Sequence, residues 1–199
     1  MARLFVVAAV LLLLQACATP PKNPDNVCAI FREKSGWYDD AAEARKRWGS
    51  PIHVTMAIMY HESRFKATAR PPRRYLLGFI PWFRPSDAYG YSQAKKATWR
   101  GYEWSTGRFW ADRDDFDDSI DFIAWYNAQS VRECSIRADD TYHLYLAYHE
   151  GRGGFNRRTF RSKQWLKDIA RKVSARSIRY KGQLSACEAD LKKSWWQLW

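Results

Sequence analysis

Two stretches of the chain each end an apolar, helix-like run on a glutamate: "MYHESRF" (59–65) and "AYHEGRG" (147–153). A carboxyl group at the end of such a helix is withdrawn from water and faces the negative end of the helix dipole. Both effects raise its pKa. An acid that keeps its proton near neutral pH is what general acid catalysis needs. The argument applies to Glu62 and to Glu150 alike, and local physics does not separate them. Their neighbours differ. Ser63 is placed to hydrogen-bond and orient a carboxylate, whereas Glu150 runs into the flexible "GRGG" with Arg152 close by.

Several other chemistries drop out. Neither YHE continues to HExxH, so the zinc-protease pattern is missing, and the four cysteines and four histidines are too scattered for a zinc site. The acidic run "DRDDFDD" (112–118) carries Phe116 and lacks the glycine of an EF-hand loop, so it reads as a helix start rather than a calcium site. No metal and no cofactor is expected.

The elements that must position the glutamates are helical. "SGWYDDAAEARKRWG" (35–49) opens on a serine and an acidic pair and stops at Gly49. "SPIHVTMAIMYHES" (50–63) offers Ser50 as N-cap and Pro51 at the first helical position. It is uncharged from Val54 to Tyr60, the pattern of a core helix. "QAKKATWRGYEWS" (93–105) is a short helix. "DRDDFDDSIDFIAWYNAQSVREC" (112–134) is a long one, capped by Asp114 with Asp115, Asp117 and Asp118 in its first turn. "ADDTYHLYLAYHEG" (138–151) is a second core-like helix. A last helix from about Ser162 aligns Trp165, Ile169, Val173, Tyr180, Leu184, Cys187 and Leu191 on one face, with Lys and Arg on the other. Proline-rich residues 70–87 break the pattern and predict a loop or irregular hairpin. The fold class is all-α (mainly α), with that one small insert.

The N-terminus predicts export. "MAR" precedes "LFVVAAVLLLL", an apolar run short for a bilayer span, and then "QAC". "LQAC" resembles a bacterial lipobox, which implies cleavage before Cys17 and acylation of its thiol. By resemblance to lipoprotein sorting rules, Ala18 in place of aspartate implies the outer membrane, facing the periplasm. The division is then residues 1–16 as signal peptide, 17–27 as lipidated cysteine and Pro-rich tether, and 28–199 as one domain, read as a monomer. With 33 Lys and Arg against 21 Asp and Glu, the chain suits anionic cell wall or phospholipid headgroups. Nucleic acid is not an expected partner of an exported protein. The compartment permits disulfides. Among Cys28, Cys134 and Cys187, the pair Cys28–Cys187 closes the largest loop and restrains the unfolded chain most, leaving Cys134 free.

Three motifs in order carry a resemblance. Glu62-Ser63 at a helix end, Gly90 to Gln93 as G-x-x-Q, and Ala147-Tyr148-His149-Glu150-Gly151 resemble the motifs of SLT-type lytic transglycosylases, a lysozyme-like group, over about residues 50–155. His149 stands where that group usually has asparagine. The resemblance implies a lysozyme-like fold, peptidoglycan glycan strands as substrate, and Glu62 as the catalytic acid. Ser63 would hold Glu62, Gln93 would contact the sugar, and Tyr148 would hydrogen-bond near the carboxylate. Glu150, at a variable position, would make a local salt bridge, with Arg152 the nearest candidate. Tyr91, Trp82, Trp99 and Tyr148 suit stacking on sugar faces. Leu76, Leu77, Phe79, Ile80, Trp82 and Phe83 are too apolar for a solvated loop and are expected to form one wall of the groove, with Arg73, Arg74 and Arg84 at its rim. The reaction implied is cleavage of the MurNAc–GlcNAc β-1,4 bond with formation of 1,6-anhydroMurNAc. The alternatives are a hydrolytic muramidase, with Glu150 or Asp87 as second carboxylate, and a murein-binding lipoprotein without turnover.

Overall fold

The structure is a computed structural model that describes residues 19–73, 75–76, 80–81 and 86–193. In chain order its helices are α1 (Val27–Glu33), α2 (Trp37–Trp48), α3 (Ile52–Ser63), α4 (Lys96–Thr106), α5 (Phe116–Cys134), α6 (Thr141–Glu150), α7 (Arg152–Asn156) and α8 (Gln164–Lys193), with a 3-10 turn at Thr159–Ser162. A two-stranded antiparallel hairpin pairs β1 (Tyr75–Leu76) with β2 (Ile80–Pro81), in register Tyr75 to Pro81 and Leu76 to Ile80. The chain is therefore all-α with one small insert, as its periodicity predicts.

Helix α3, uncharged from Val54 to Tyr60, runs through the core and packs on α8, α5 and α2. Ile52, Val54, Met56, Ala57, Ile58 and Met59 are all buried, because a helix apolar around its whole circumference must be covered on every side. Its start falls one residue later than the sequence suggests. Pro51 keeps an extended ψ of 140° and is itself the N-cap, while the Ser50 hydroxyl accepts a hydrogen bond from Asn127 Nδ2 at 3.0 Å. The cap of α5 is likewise shifted by one. Asp115, not Asp114, accepts from the Asp118 amide, because Asp114 is taken up by the Tyr89 hydroxyl at 2.7 Å.

The thirty residues of α8 span about 45 Å. They buttress α1, α3 and α6 with a stripe of Leu166, Ala170, Val173, Tyr180, Leu184 and Cys187. Trp165 is corrected here. The alternating four-and-three spacing of the stripe runs through Leu166, which leaves Trp165 53% exposed. The segment entering α1 is laced to the same helix. The Tyr180 hydroxyl donates to the Pro24 carbonyl, Arg176 pairs with Asp25 at 2.8 Å, and Gln183 Oε1 accepts from the Val27 amide at 2.9 Å. Cys28 and Cys187 are joined by a disulfide across 159 residues, and the Cys134 thiol is free.

A buried carboxylate, Asp121, knits the other side. It accepts from Trp48 Nε1 at 2.9 Å, from the Tyr102 hydroxyl at 2.7 Å and from Arg47 at 3.2 Å, joining α2, α4 and α5. Such a charge is tolerated inside only because donors satisfy it. Cutting the Cys28–Cys187 bond, by reductant or by Cys28→Ser, should lower unfolding stability by about 2–5 kcal/mol. Urea denaturation of the oxidised and reduced protein measures this, and the fold should survive the change.

Candidate active site

The turn after α3 aims Glu62. Arg64 (φ 53°) and Phe65 (φ 58°) are both left-handed, a conformation that costs a non-glycine residue free energy. Burial of Phe65 against Trp37 and Tyr60 holds the turn in place. The chain then leaves the helix abruptly, and Glu62 faces an open cleft of about 440 Å³.

Gln93, Tyr148, His149, Glu150 and Gly151 line the same cleft, with Phe122 and Tyr126 of α5 and Lys95 and Thr98 at the start of α4. The G-x-x-Q segment reaches it through a close backbone approach. Gly90 has φ +78°, and a Cβ there would stand 1.7 Å from the Arg113 carbonyl oxygen. Gln93 is left-handed too, and its Nε2 donates to the Ala69 and Gly90 carbonyls, both at 2.9 Å. The Tyr148 hydroxyl donates to the Ser92 carbonyl at 2.7 Å, tying α6 to that segment.

The two glutamates differ sharply in electrostatics. Glu62 is only partly exposed, into the cleft, and the protein packed round its carboxyl pushes its pKa up to about 7; a hydrogen bond from the Tyr145 hydroxyl opposes that rise. Behind Tyr145 the His61 ring packs edge-on at 5.2 Å, and burial followed by nearby cations keeps this imidazole below its usual pKa. Burial and the neighbouring Glu62 also drive the Tyr148 phenol upward. Glu150 goes the other way. Burial alone would raise it, but bonds from Lys163 Nζ (2.8 and 2.9 Å), the Thr159 hydroxyl and His149 outweigh that and hold it below the usual carboxylate range. Local physics at the sequence level left the pair equal. The packing around them separates acid from permanent anion.

Other expectations need correction. Ser63 does not hold Glu62: it is buried, and its hydroxyl donates back to the Met59 carbonyl at 3.2 Å, the common habit of a serine inside a helix. Tyr145 hydrogen-bonds the acid instead. Tyr91, at 2% exposure, packs edge-on against Trp37 and Phe116 and is core rather than a sugar platform. Trp99 is buried as well, with its Nε1 donating to the Ala111 carbonyl at 3.3 Å. Arg152 pairs with Glu133 at 2.6 Å, so Lys163 replaces it as the partner of Glu150. Asp87 is exposed and accepts from the Lys96 amide at 3.3 Å. Cys17 and Trp82 lie outside the described residues, as do the side chains expected to form the groove wall; of the rim arginines Arg73 is exposed, and Arg74 and Arg84 are not described. Tyr145 was detectable in the sequence, three residues before Tyr148 and so on the same helix face. Lys163 carried no such signal.

The chain matches the family model described as Transglycosylase SLT domain over residues 5–187, and it belongs to that family. Membership makes its general activity lytic transglycosylation, with peptidoglycan glycan strands as what it binds. Among curated proteins and among solved structures, no match is found.

A carboxyl raised in the folded state makes stability fall with pH. The folded protein holds the Glu62 proton from the ordinary value of 4.5 up to about 7, where the unfolded chain has released it. The stabilising contribution is complete below the lower value and is lost as pH rises through the upper one. Glu62→Gln should therefore be more stable than the parent above pH 7, by about 1–3 kcal/mol, with the difference vanishing in acid. Thermal unfolding across pH measures it. Tyr145→Phe, which removes the hydrogen bond to the ionised form, should raise the Glu62 pKa further in an NMR titration.

Proposed function

We propose that Glu62 acts alone as acid and base in a murein lytic transglycosylase reaction at the MurNAc–GlcNAc β-1,4 bond. Protonated Glu62 gives its proton to the glycosidic oxygen. The C1–O bond breaks, its electron pair leaves with the N-acetylglucosamine 4-oxygen, and the 2-acetamido carbonyl of the muramic residue supports the cationic C1. Glu62, now a carboxylate, takes the proton of the muramic C6 hydroxyl as O6 closes on C1. The acid is regenerated, no water is consumed, and the product is a 1,6-anhydro sugar. Tyr148, Gln93 and His149 line the cleft in which the sugars lie, and Tyr145 sets the acidity of Glu62.

The observation that carries this reading is the contrast between the two carboxylates. Hydrolysis needs a second carboxylate free to activate water. Glu150 has both oxygens engaged by Lys163, and its side chain is 4% exposed. Asp87 is exposed and outside the cleft lining. Both facts favour a one-acid mechanism over a muramidase.

Glu62→Gln should abolish release of soluble muropeptides from sacculi while binding persists, since glutamine keeps the shape without the proton. Glu150→Gln should retain substantial activity. Mass analysis of the parent's products decides the mechanism: anhydro ends lack the water that hydrolysis would add, and equal loss in both variants would restore the muramidase. Because the first step needs the acid form, kcat/KM should fall as pH rises through about 7.

The N-terminal sequence supports a further part of the proposal, anchoring of the mature chain to the outer membrane through acylated Cys17. Cys17→Ser should abolish incorporation of labelled fatty acid and leave a soluble or uncleaved form. Unmodified Cys17 in the mature parent would reject the anchor.

A further inference from the structure

The cleft holding Glu62 does not end at Tyr126. A second hollow of about 350 Å³ shares Thr98 and Tyr126 with it and continues between α4 and α5, over Gly101, Trp125 and the Glu133–Arg152 ion pair. Along α4, Thr98 borders both hollows and Gly101 only the second. Along α5, Phe122 borders the first, Tyr126 both and Glu133 the second.

One turn beyond Gly101 stands Trp104, 77% exposed, with Phe109 beside it at 54%; Trp110, next in the chain, is 98% exposed. Thr98, Gly101 and Trp104 follow at three-residue spacing, so one face of α4 carries the rim of the hollow and then the Trp104 indole. Phe109 meets it edge-on, with centroids 5.4 Å apart and planes at 84°, which braces one side of the indole. Gly101 leaves the approach clear: a Cβ added there meets nothing within 4 Å. Large exposed aromatics grouped in this way mark an interaction surface.

The occupant can be read from continuity and charge. Arg108 is neutralised by Asp117 and Asp118, at 2.8 and 2.6 Å, while Glu103 and Asp112 stand near Lys96, Arg100 and Arg113. A patch of balanced charge is poorly matched to anionic lipid, which calls for a cationic surround. An exposed indole on the same helix face as a sugar cleft matches the apolar C–H face of a sugar ring, a contact that does not depend on the strand's muramic carboxylates. We propose that the hollow over Gly101 and the Trp104–Phe109 pair form a distal track that holds the same glycan strand beyond the cleaved bond, with the Trp104 indole stacked on a sugar face. This rests on the reading of the Glu62 cleft as the glycan site. From Thr98 to Trp104 the track adds about 9 Å along α4. Long strands then gain an attachment that short ones lack, and the protein stays on a strand between cleavages.

The test uses the full chain carrying Glu62→Gln, so that ligands survive, and compares peptide-free glycan strands many disaccharides long with a tetrasaccharide. Trp104→Ala should weaken binding of the long strands about tenfold, the scale of truncating an aromatic anchor, and affect the tetrasaccharide far less. Gly101→Leu, at an open helical position where leucine is the better helix former, should block the track and give the same length-dependent loss. Far-UV spectra of both variants should match the parent. Unchanged long-strand affinity in both, or equal loss for long and short ligands, would overturn the track. So would loss of binding to vesicles of phosphatidylglycerol and phosphatidylethanolamine in Trp104→Ala with long-strand affinity intact, which would make the patch a lipid contact. The reading of the cleft is judged separately. If protein with Glu62 intact leaves the tetrasaccharide unbound and uncleaved, that reading fails, and the long-strand comparison still decides whether Trp104 touches glycan.

Discussion

Keeping a carboxyl group protonated near neutral pH requires taking it out of water, and the protein does this by ending its most apolar helix on Glu62. The ordinary acidity of a glutamate is abandoned: its pKa rises from 4.5 to about 7, an expense of roughly 3 kcal/mol whenever the group must ionise. The rest of the structure can be understood as what sustains that placement. Helix α3 is enclosed by α2, α5 and α8, and the left-handed pair Arg64–Phe65 ends it abruptly, with Phe65 sunk in the aromatic core. Tyr145 tempers the acid by favouring its ionised form, so the group stays within reach of both protonation states.

The same device appears to the eye twice in the chain, and only once in the fold. Glu150 also terminates an apolar helix, but α7, the 3-10 turn and the start of α8 return Thr159 and Lys163 to its carboxylate. Those donors outweigh desolvation, and the acid becomes a fixed negative charge on the cleft wall. A difference of a few hydrogen bonds thus shifts the carboxyl groups of two identical tripeptides in opposite directions. His149 shares in this arrangement, with Nδ1 3.2 Å from Glu150 and its ring edge-on to Trp165.

A rigid frame is what makes such differences persist. The Cys28–Cys187 bond and the contacts of Pro24, Asp25 and Val27 with α8 clamp the ends of the described domain together. Asp121 joins α2, α4 and α5 through tyrosine, tryptophan and arginine donors. Gly90 lets the Gln93 segment lie against the Arg113 backbone. Strained positions at Arg64, Phe65 and Gln93 sit where the cleft is built, and they are tolerable because the surroundings over-determine them.

The sequence by itself determined the helical class, the position and apolar character of α3, the insert between Glu62 and Gln93, and the motif order that belongs to the SLT family. These follow from periodicity, capping residues and breakers, which act over a few neighbours and so are written locally. It erred by one residue at the starts of α3 and α5, where a proline's extended ψ and a tyrosine hydroxyl from another segment intervened. It placed Tyr91 and Trp99 on the sugar and Ser63 on the acid, since composition cannot tell a buried ring from a cleft-lining one. Which glutamate keeps its proton was decided only by tertiary structure. Lys163 lies thirteen residues from Glu150, and Tyr145 lies 83 from Glu62 in the chain. Desolvation and hydrogen bonding act through space, so a carboxyl group's pKa is set by neighbours that the chain order does not reveal.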